Sequence, residues 1–243
     1  FSNLVFSQNS CGTYDGYLQD EIKKYPAFYQ SLEEKNQRLL QESKQLTDNL
    51  SEKTNIEDRK IIPVVVHIIH NFGSSNITDA DVAYALEQLN KNINRQADNM
   101  LSTPDVFAAV SGSANVEFRL AKIDPAGDPT NGILRIHSEL TEVPVNDAGN
   151  NILKTLSYWN SYSYFNIWVI SNFPPQADGN TLLGYAQFPW SGFMSTDGVA
   201  LKASEFKNGR TLTHECGHWL GLRHVWGDAL CGDDGVYDTP VAK

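Results

Sequence analysis

The chain has 243 residues, enough to bury a full hydrophobic core in one domain or slightly more. Its longest nearly apolar run, residues 61–69, is broken by Pro63 and His67 and falls well short of a bilayer span, which argues against an integral membrane protein. Nineteen Lys and Arg against twenty-nine Asp and Glu give a net charge of -10, a field that repels phosphate backbones and argues against nucleic acid as a partner.

Taken in chain order, residues 1–10 hold neither a basic n-region nor an apolar stretch of signal-peptide length, so an export signal is expected to have been removed or to lie outside this sequence. Residues 20–60 are rich in charge, Gln and Asn. Leu32, Leu39, Leu46 and Leu50 recur there at spacings that predict a thin amphipathic helix. So narrow a stripe does not fold alone, and docking on the body of the protein is expected over loose order. Residues 61–70, IIPVVVHIIH, turn abruptly β-branched and predict a buried strand. Thr78 and Asp81 predict a capping box, and Val82, Leu86, Leu89 and Ile93 continue one helical face. Further strands are predicted at 116–123, 165–171, 182–188 and 198–202, between turn-rich pieces. A final helix is expected over about residues 209–220, giving a mixed α and β domain of about five strands.

That last helix carries THECGHWLGLRH, residues 213–224. Helical residues four apart lie about 40° apart around the axis, so His214 and His218 can aim two ring nitrogens at one metal ion. Glu215 is offset toward the metal's open position and suits a general base. Gly221 can take a positive φ, end the helix and bring His224 back as a third ligand. The pattern HExxHxxGxxH fixes five positions, and chance supplies it in roughly one chain in 10⁵. Three histidines leave a tetrahedral zinc one vacancy for a water whose pKa falls to about 7. Glu215 would take the water's proton and pass it to the leaving amine, hydrolysing a peptide without a covalent intermediate. Cys216, about 200° around the helix from His214, faces away from the metal as a core residue.

These residues resemble the motif of the metzincin metalloendopeptidases, and the likeness extends to the pappalysin family and its bacterial members. The matching stretches are IPVVVHIIH, FRLAKIDPAGDPTNGILR, LLGYAQFPW, GRTLTHECGHWLGLRHVWGD and CGDDGVYDTP, from about residue 62 onward. The resemblance implies an α+β fold: a metzincin-like catalytic domain with a mixed, about five-stranded twisted sheet and a zinc helix, preceded by a largely helical prosegment. It implies boundaries of 1–60 for the prosegment, 61–227 for the upper subdomain and 228–243 for the start of a truncated lower one. It also implies β-augmentation of substrate on an edge strand, with Leu183, Gly184, Tyr185 and Ala186 as candidates, and cleavage next to Arg or Lys. A departure from the family is that Met100 and Met194 both precede the zinc motif, so no Met-turn follows it.

By the same resemblance, Cys11 in NSCGTYDG is a cysteine switch whose thiolate takes the fourth zinc position in a latent zymogen. Its alternative is an unpaired surface thiol. Arg59 and Lys60 are the expected activation cleavage sites, open to self-cleavage by an enzyme that favours basic residues. Cys231 would be orphaned from a later partner. Asp233, Asp234, Asp238 and Thr239 offer hard oxygen ligands; family likeness favours Asp238 and Thr239, with Asp233, as a calcium site beside a solvated-loop reading. His67, His70 and His137 lack partners at ligand spacing, and the aromatic run around Trp159 to Trp168 is expected to pack.

The expectation is therefore a secreted or cell-envelope zinc metalloendopeptidase in latent form. Its partners would be protein or peptide substrates and its own prosegment; zinc is the expected cofactor and calcium a second candidate. The rival readings are a non-catalytic zinc-stabilised binding module and an inactive fragment.

Overall fold

The computed structural model describes residues 22–49, 59–96, 105, 111–143, 147–175, 181–208, 210–227 and 234–236. Helix α1, Pro26–Asn49, precedes strand β1, Lys60–His70, and helix α2, Asp79–Ile93. Strands β2, Val116–Leu120, and β3, Ile133–His137, lead to helix α3, Asp147–Leu156. Strands β4, Phe165–Ile170, β5, Gly184–Ala186, and β6, Val199–Lys202, are followed by a short helix α4, Ala203–Phe206, and by α5, Arg210–Trp219. The fold is α+β, as expected.

The sheet runs β2-β1-β4-β6-β5, with β3 also paired to β1. Strand β1 is long enough to carry β2 along residues 60–64 and β3 along 66–70, both parallel, on the edge opposite β4. Residues 64–70 of β1 are all buried, which is why the run reads as continuously apolar. Pro63 sits exposed before that stretch, where its missing N–H costs least. Strand β5 is antiparallel to β6 and ends the strand order.

Side chains alternate across this sheet into two cores. On one face Val64, Val66, Ile68, Ile167, Val169 and Leu201 pack with α2 and with Leu212 and Cys216 of α5. On the other, Ile69, Trp168, Ile170 and Tyr185 pack with Leu153 of α3. The predicted capping box is formed in full: Asp81 N–H donates to Thr78 Oγ1 at 3.1 Å, and Thr78 N–H donates to Asp81 Oδ2 at 2.8 Å.

Three differences from the sequence-based expectation have physical causes. Strand β3 is not foreseen because its five residues alternate only weakly between half-buried and exposed. Helix α3 is not foreseen because its first turns, DAGNN, hold poor helix formers. The leucine stripe of α1 is not its docking face: Leu32 is half-buried and Leu39 is 50% exposed, whereas Tyr29 and Asn36, two turns apart, are buried. The side chains of Leu46 and Leu50 lie outside the described residues. Aromatic reach and a hydrogen bond dock this helix in place of leucine burial.

Candidate metal centre

Helix α5 runs through Trp219 and ends in a Schellman turn. Gly221 N–H donates to the His218 carbonyl at 2.9 Å and Leu222 N–H to the Gly217 carbonyl at 2.9 Å, with Gly221 at φ 99°. The chain thereby reverses and delivers His224 to the helix face. A Cβ at Gly221 would stand 3.3 Å from Trp190 Cζ3, so conformation and space both require glycine.

The three histidines meet at one point. Their Nε2 atoms are separated by 3.0 Å (His218 to His214), 3.2 Å (His218 to His224) and 3.3 Å (His224 to His214). Tetrahedral zinc with bonds of about 2.0–2.1 Å to each nitrogen would need separations of roughly 3.3 Å. Hydrogen bonds among them cannot satisfy three converging nitrogens of neutral rings at once, so the residues fit a cation. His218 Nδ1 lies 2.7 Å from the Leu222 carbonyl, to which it donates, leaving its Nε2 lone pair turned to the centre. Burial pushes the His218 pKa down to about 4, aided by the two neighbouring rings and opposed by the Leu222 carbonyl. Burial also lowers that of His214, with His224 adding to it. Both rings are therefore neutral at pH 7, as metal binding requires. Phe188 meets the His218 ring edge to face at 5.2 Å, and Trp226 stacks on His224 at 4.4 Å.

Glu215 is buried, and its Cγ would stand 3.2 Å from a Cβ built on Gly184. The first residue of β5 therefore lies directly against the candidate base, and glycine is what allows that approach. The candidate edge residues Gly184, Tyr185 and Ala186 form β5, with Leu183 just before it. Cys216 is fully buried, its thiol pKa pushed up by burial and by Glu215, on the side of the helix away from the histidines.

Helix α1 docks on the loop beside this centre. Tyr29 Oη donates to the Ser191 carbonyl at 3.1 Å, and Phe28 stacks on Phe193 at 4.7 Å. Glu33 lies 3.6 Å from Arg223, whose guanidinium is 5.4 Å from the Trp190 ring. Arg59 and Lys60 are both exposed, Lys60 already in register with Val116. Cys11, Cys231, Asp233, Asp238 and Thr239 lie outside the described residues. Asp234 is described, and its Oδ1 accepts the Val236 N–H at 2.9 Å.

His67 is buried in the core, between Ser157 Oγ at 2.7 Å and Asn166 Oδ1 at 2.9 Å, stacked on Trp168. Trp159 and Trp168 are buried too, while Tyr162 is exposed. Sequence reasoning missed a buried polar group behind the centre: Lys154 of α3, Asp197, and Trp219 at the end of α5. Lys154 reads as a surface residue when α3 itself is not foreseen. The tryptophan beside His218 was the available signal, since a buried indole N–H needs an acceptor.

A helix bearing two of three converging histidines and ending in a glycine turn, beneath a mixed sheet whose terminal strand crosses the acidic residue, is the arrangement of a metzincin-type centre. A family model described as pregnancy-associated plasma protein-A matches residues 148–243. Mature mirolysin from Tannerella forsythia, in complex with a cleaved peptide, superposes with a TM-score of 0.65 and is 38% identical, over 75% of this chain and 72% of that one. A promirolysin mutant from the same organism gives a TM-score of 0.69 and 33% identity over 94% of this chain and 75% of that one. An extracellular metalloprotease of Pyricularia oryzae is 34% identical over 107 residues, 39% of this chain and 36% of that protein. One from Arthroderma otae is 25% identical over 193 residues, 74% of this chain and 58% of that protein. The chain thus spans between about a third and three fifths of these two curated relatives. It belongs to the pappalysin family, and its fold is that of mirolysin and promirolysin.

Proposed function

We propose that this chain is the latent form of a secreted zinc metalloendopeptidase. The observation that carries the reading is the convergence of three Nε2 atoms within 3.0–3.3 Å beside a buried glutamate that touches the terminal strand of the sheet. When bound, zinc would polarise the scissile carbonyl and acidify a water molecule. His214, His218 and His224 hold the ion, and the Leu222 carbonyl fixes the tautomer of His218. Glu215 accepts the water's proton on a carboxylate oxygen and returns it to the departing amine, and its burial strengthens that exchange. Leu183, Gly184, Tyr185 and Ala186 align an extended substrate by main-chain pairing, with Arg or Lys next to the scissile bond as the preferred residue.

Latency follows from the leader, taken as residues 1–60. Helix α1 is anchored beside the centre through Tyr29 and Phe28, and the Cys11 thiolate closes the fourth metal position. Cutting at the exposed Arg59 or Lys60 releases it. The promirolysin neighbour and the extracellular names of the curated relatives support latency and export. Residues 61–227 form the upper subdomain and 228–243 begin the lower one, where Asp233, Asp238 and Thr239 bind calcium.

The decisive test is Glu215→Ala. In protein freed of its leader, one zinc per chain should remain while turnover of a fluorogenic Arg-containing peptide falls by about 10²–10⁴. Unchanged turnover would overturn the mechanism, and loss of zinc would show Glu215 to be part of the metal site.

A further inference from the structure

Lys154 is buried in α3 at 3% exposure, and its ammonium lies 4.5 Å from the Trp168 ring of β4 and 5.5 Å from the Tyr185 ring of β5. It donates to the Thr196 carbonyl. The adjoining residue, Asp197, is also buried and accepts the Trp219 indole N–H with both carboxylate oxygens, each at 3.1 Å. Trp219 follows the metal ligand His218, and its ring is wedged 4.1 Å from that of Phe165. Thr196 Oγ1 donates to Gln187 Oε1 at 2.7 Å, and Gln187, which follows β5, donates from Nε2 to the Phe193 carbonyl at 3.0 Å.

The dipeptide Thr196–Asp197 is therefore a joint. One of its groups holds Lys154, another holds the end of the zinc helix, and a third holds the residue after the edge strand. We propose that Lys154 and Asp197 are positioning residues, which fix the separation between β5 and the His218–Trp219 end of α5 and so keep substrate in register with Glu215. In its substrate arm this inference rests on the peptidase reading above.

Three observations support it. Burying a lysine and an aspartate costs stability that apolar side chains of similar size would not, so their presence calls for another role. The ammonium lies against rings from β4 and β5, the two strands that flank β6, and donates to a turn, where a leucine would pack there without direction. Burial lowers the Lys154 pKa to about 7 against the field of Asp197, and burial raises that of Asp197 against its bond to Trp219, so each charge leans on the joint.

The test uses Lys154→Met, Asp197→Asn and the double variant, each in the whole chain. Two measurements are made: peptide-resolved hydrogen exchange and, after removal of the leader, kcat and KM on the Arg-containing peptide. The single variants should lose thermal stability, and the double variant, with no lone buried charge, should recover most of it. In the double variant, amide exchange at residues 184–187 and 218–221 should still be at least tenfold faster than in the wild type. Its KM should remain raised about tenfold while zinc stays at one per chain. Recovery of exchange protection and KM together with stability would overturn the proposal. If the single variants do not fold, 3-benzothienylalanine placed at position 219, which keeps the bicyclic ring and removes only the indole N–H, probes the joint through exchange at 218–221: faster exchange there supports it, and unchanged exchange overturns it. Exchange decides the joint even if the wild type proves to hydrolyse no peptide, a failure that would count against the peptidase reading alone.

Discussion

Helices α5 and α1 flank the same loop, yet they come to their places by different physics. In α5 the working residues lie within eleven positions of one another, and helical spacing plus one glycine turn brings them together. In α1 the contacts span more than 160 residues, from Tyr29 to Ser191 and from Phe28 to Phe193, and the helix is held by one hydrogen bond, ring contacts and a loose ion pair. A locally encoded site should be intolerant of single changes, whereas a docked helix should come away in small steps.

The largest effect should fall on the centre itself. His218→Ala removes the imidazole whose Nε2 lies within 3.2 Å of both other Nε2 atoms, and zinc content should drop from one per chain to near zero with all turnover lost. Elemental assay of purified protein checks it. Retained stoichiometric zinc would break the contrast at its root.

Next comes a pH effect from the core behind the site. Burial holds the His67 pKa at about 4 against an ordinary 6.5, so the folded state refuses a proton that the unfolded state accepts. The associated stability is present above pH 6.5 and is lost as pH falls from 6.5 toward 4, amounting to about 3 kcal/mol. Urea unfolding of metal-free protein should show the decline. His67→Gln should make the decline shallower in that window, leaving the share that the buried His218 and His214 contribute in metal-free protein, and equal slopes for both proteins would contradict the assignment.

Gly221→Ala should cost about 1–2 kcal/mol for a left-handed alanine, with further strain against Trp190, and should weaken zinc affinity about tenfold by tilting His224. Competition with a chromogenic chelator measures that affinity. The smallest effect belongs to the leader. Tyr29→Phe removes one hydrogen bond worth about 1 kcal/mol and should hasten processing at Arg59 or Lys60 a few-fold, with zinc unchanged. An unaltered processing lag would mean that the helix is held elsewhere.

The same contrast explains what the sequence discloses. The convergence of the three histidines, the glycine that turns the helix, the capping box at Thr78 and the buried run of β1 are all local patterns, and each is legible from spacing. The docking face of α1 is not, because the leucines that attract attention at 32 and 39 stay at least partly in water while Tyr29 and Asn36 are covered. The joint of Lys154, Asp197 and Trp219 is equally silent. Its members lie 43 and 22 positions apart, and a buried lysine has no local signature. Gly184 stands between the two cases: the stretch LLGYAQF marks an edge strand by likeness, but its contact with Glu215 exists only in three dimensions.

Whether three imidazoles hold one zinc ion is best decided by zinc-edge X-ray absorption on protein never exposed to chelators. The expected result is one zinc per chain with three imidazole nitrogens at about 2.0–2.1 Å, joined in the latent form by one sulfur at about 2.3 Å. A chain without stoichiometric zinc, or a spectrum lacking imidazole scattering, would contradict this reading of the centre.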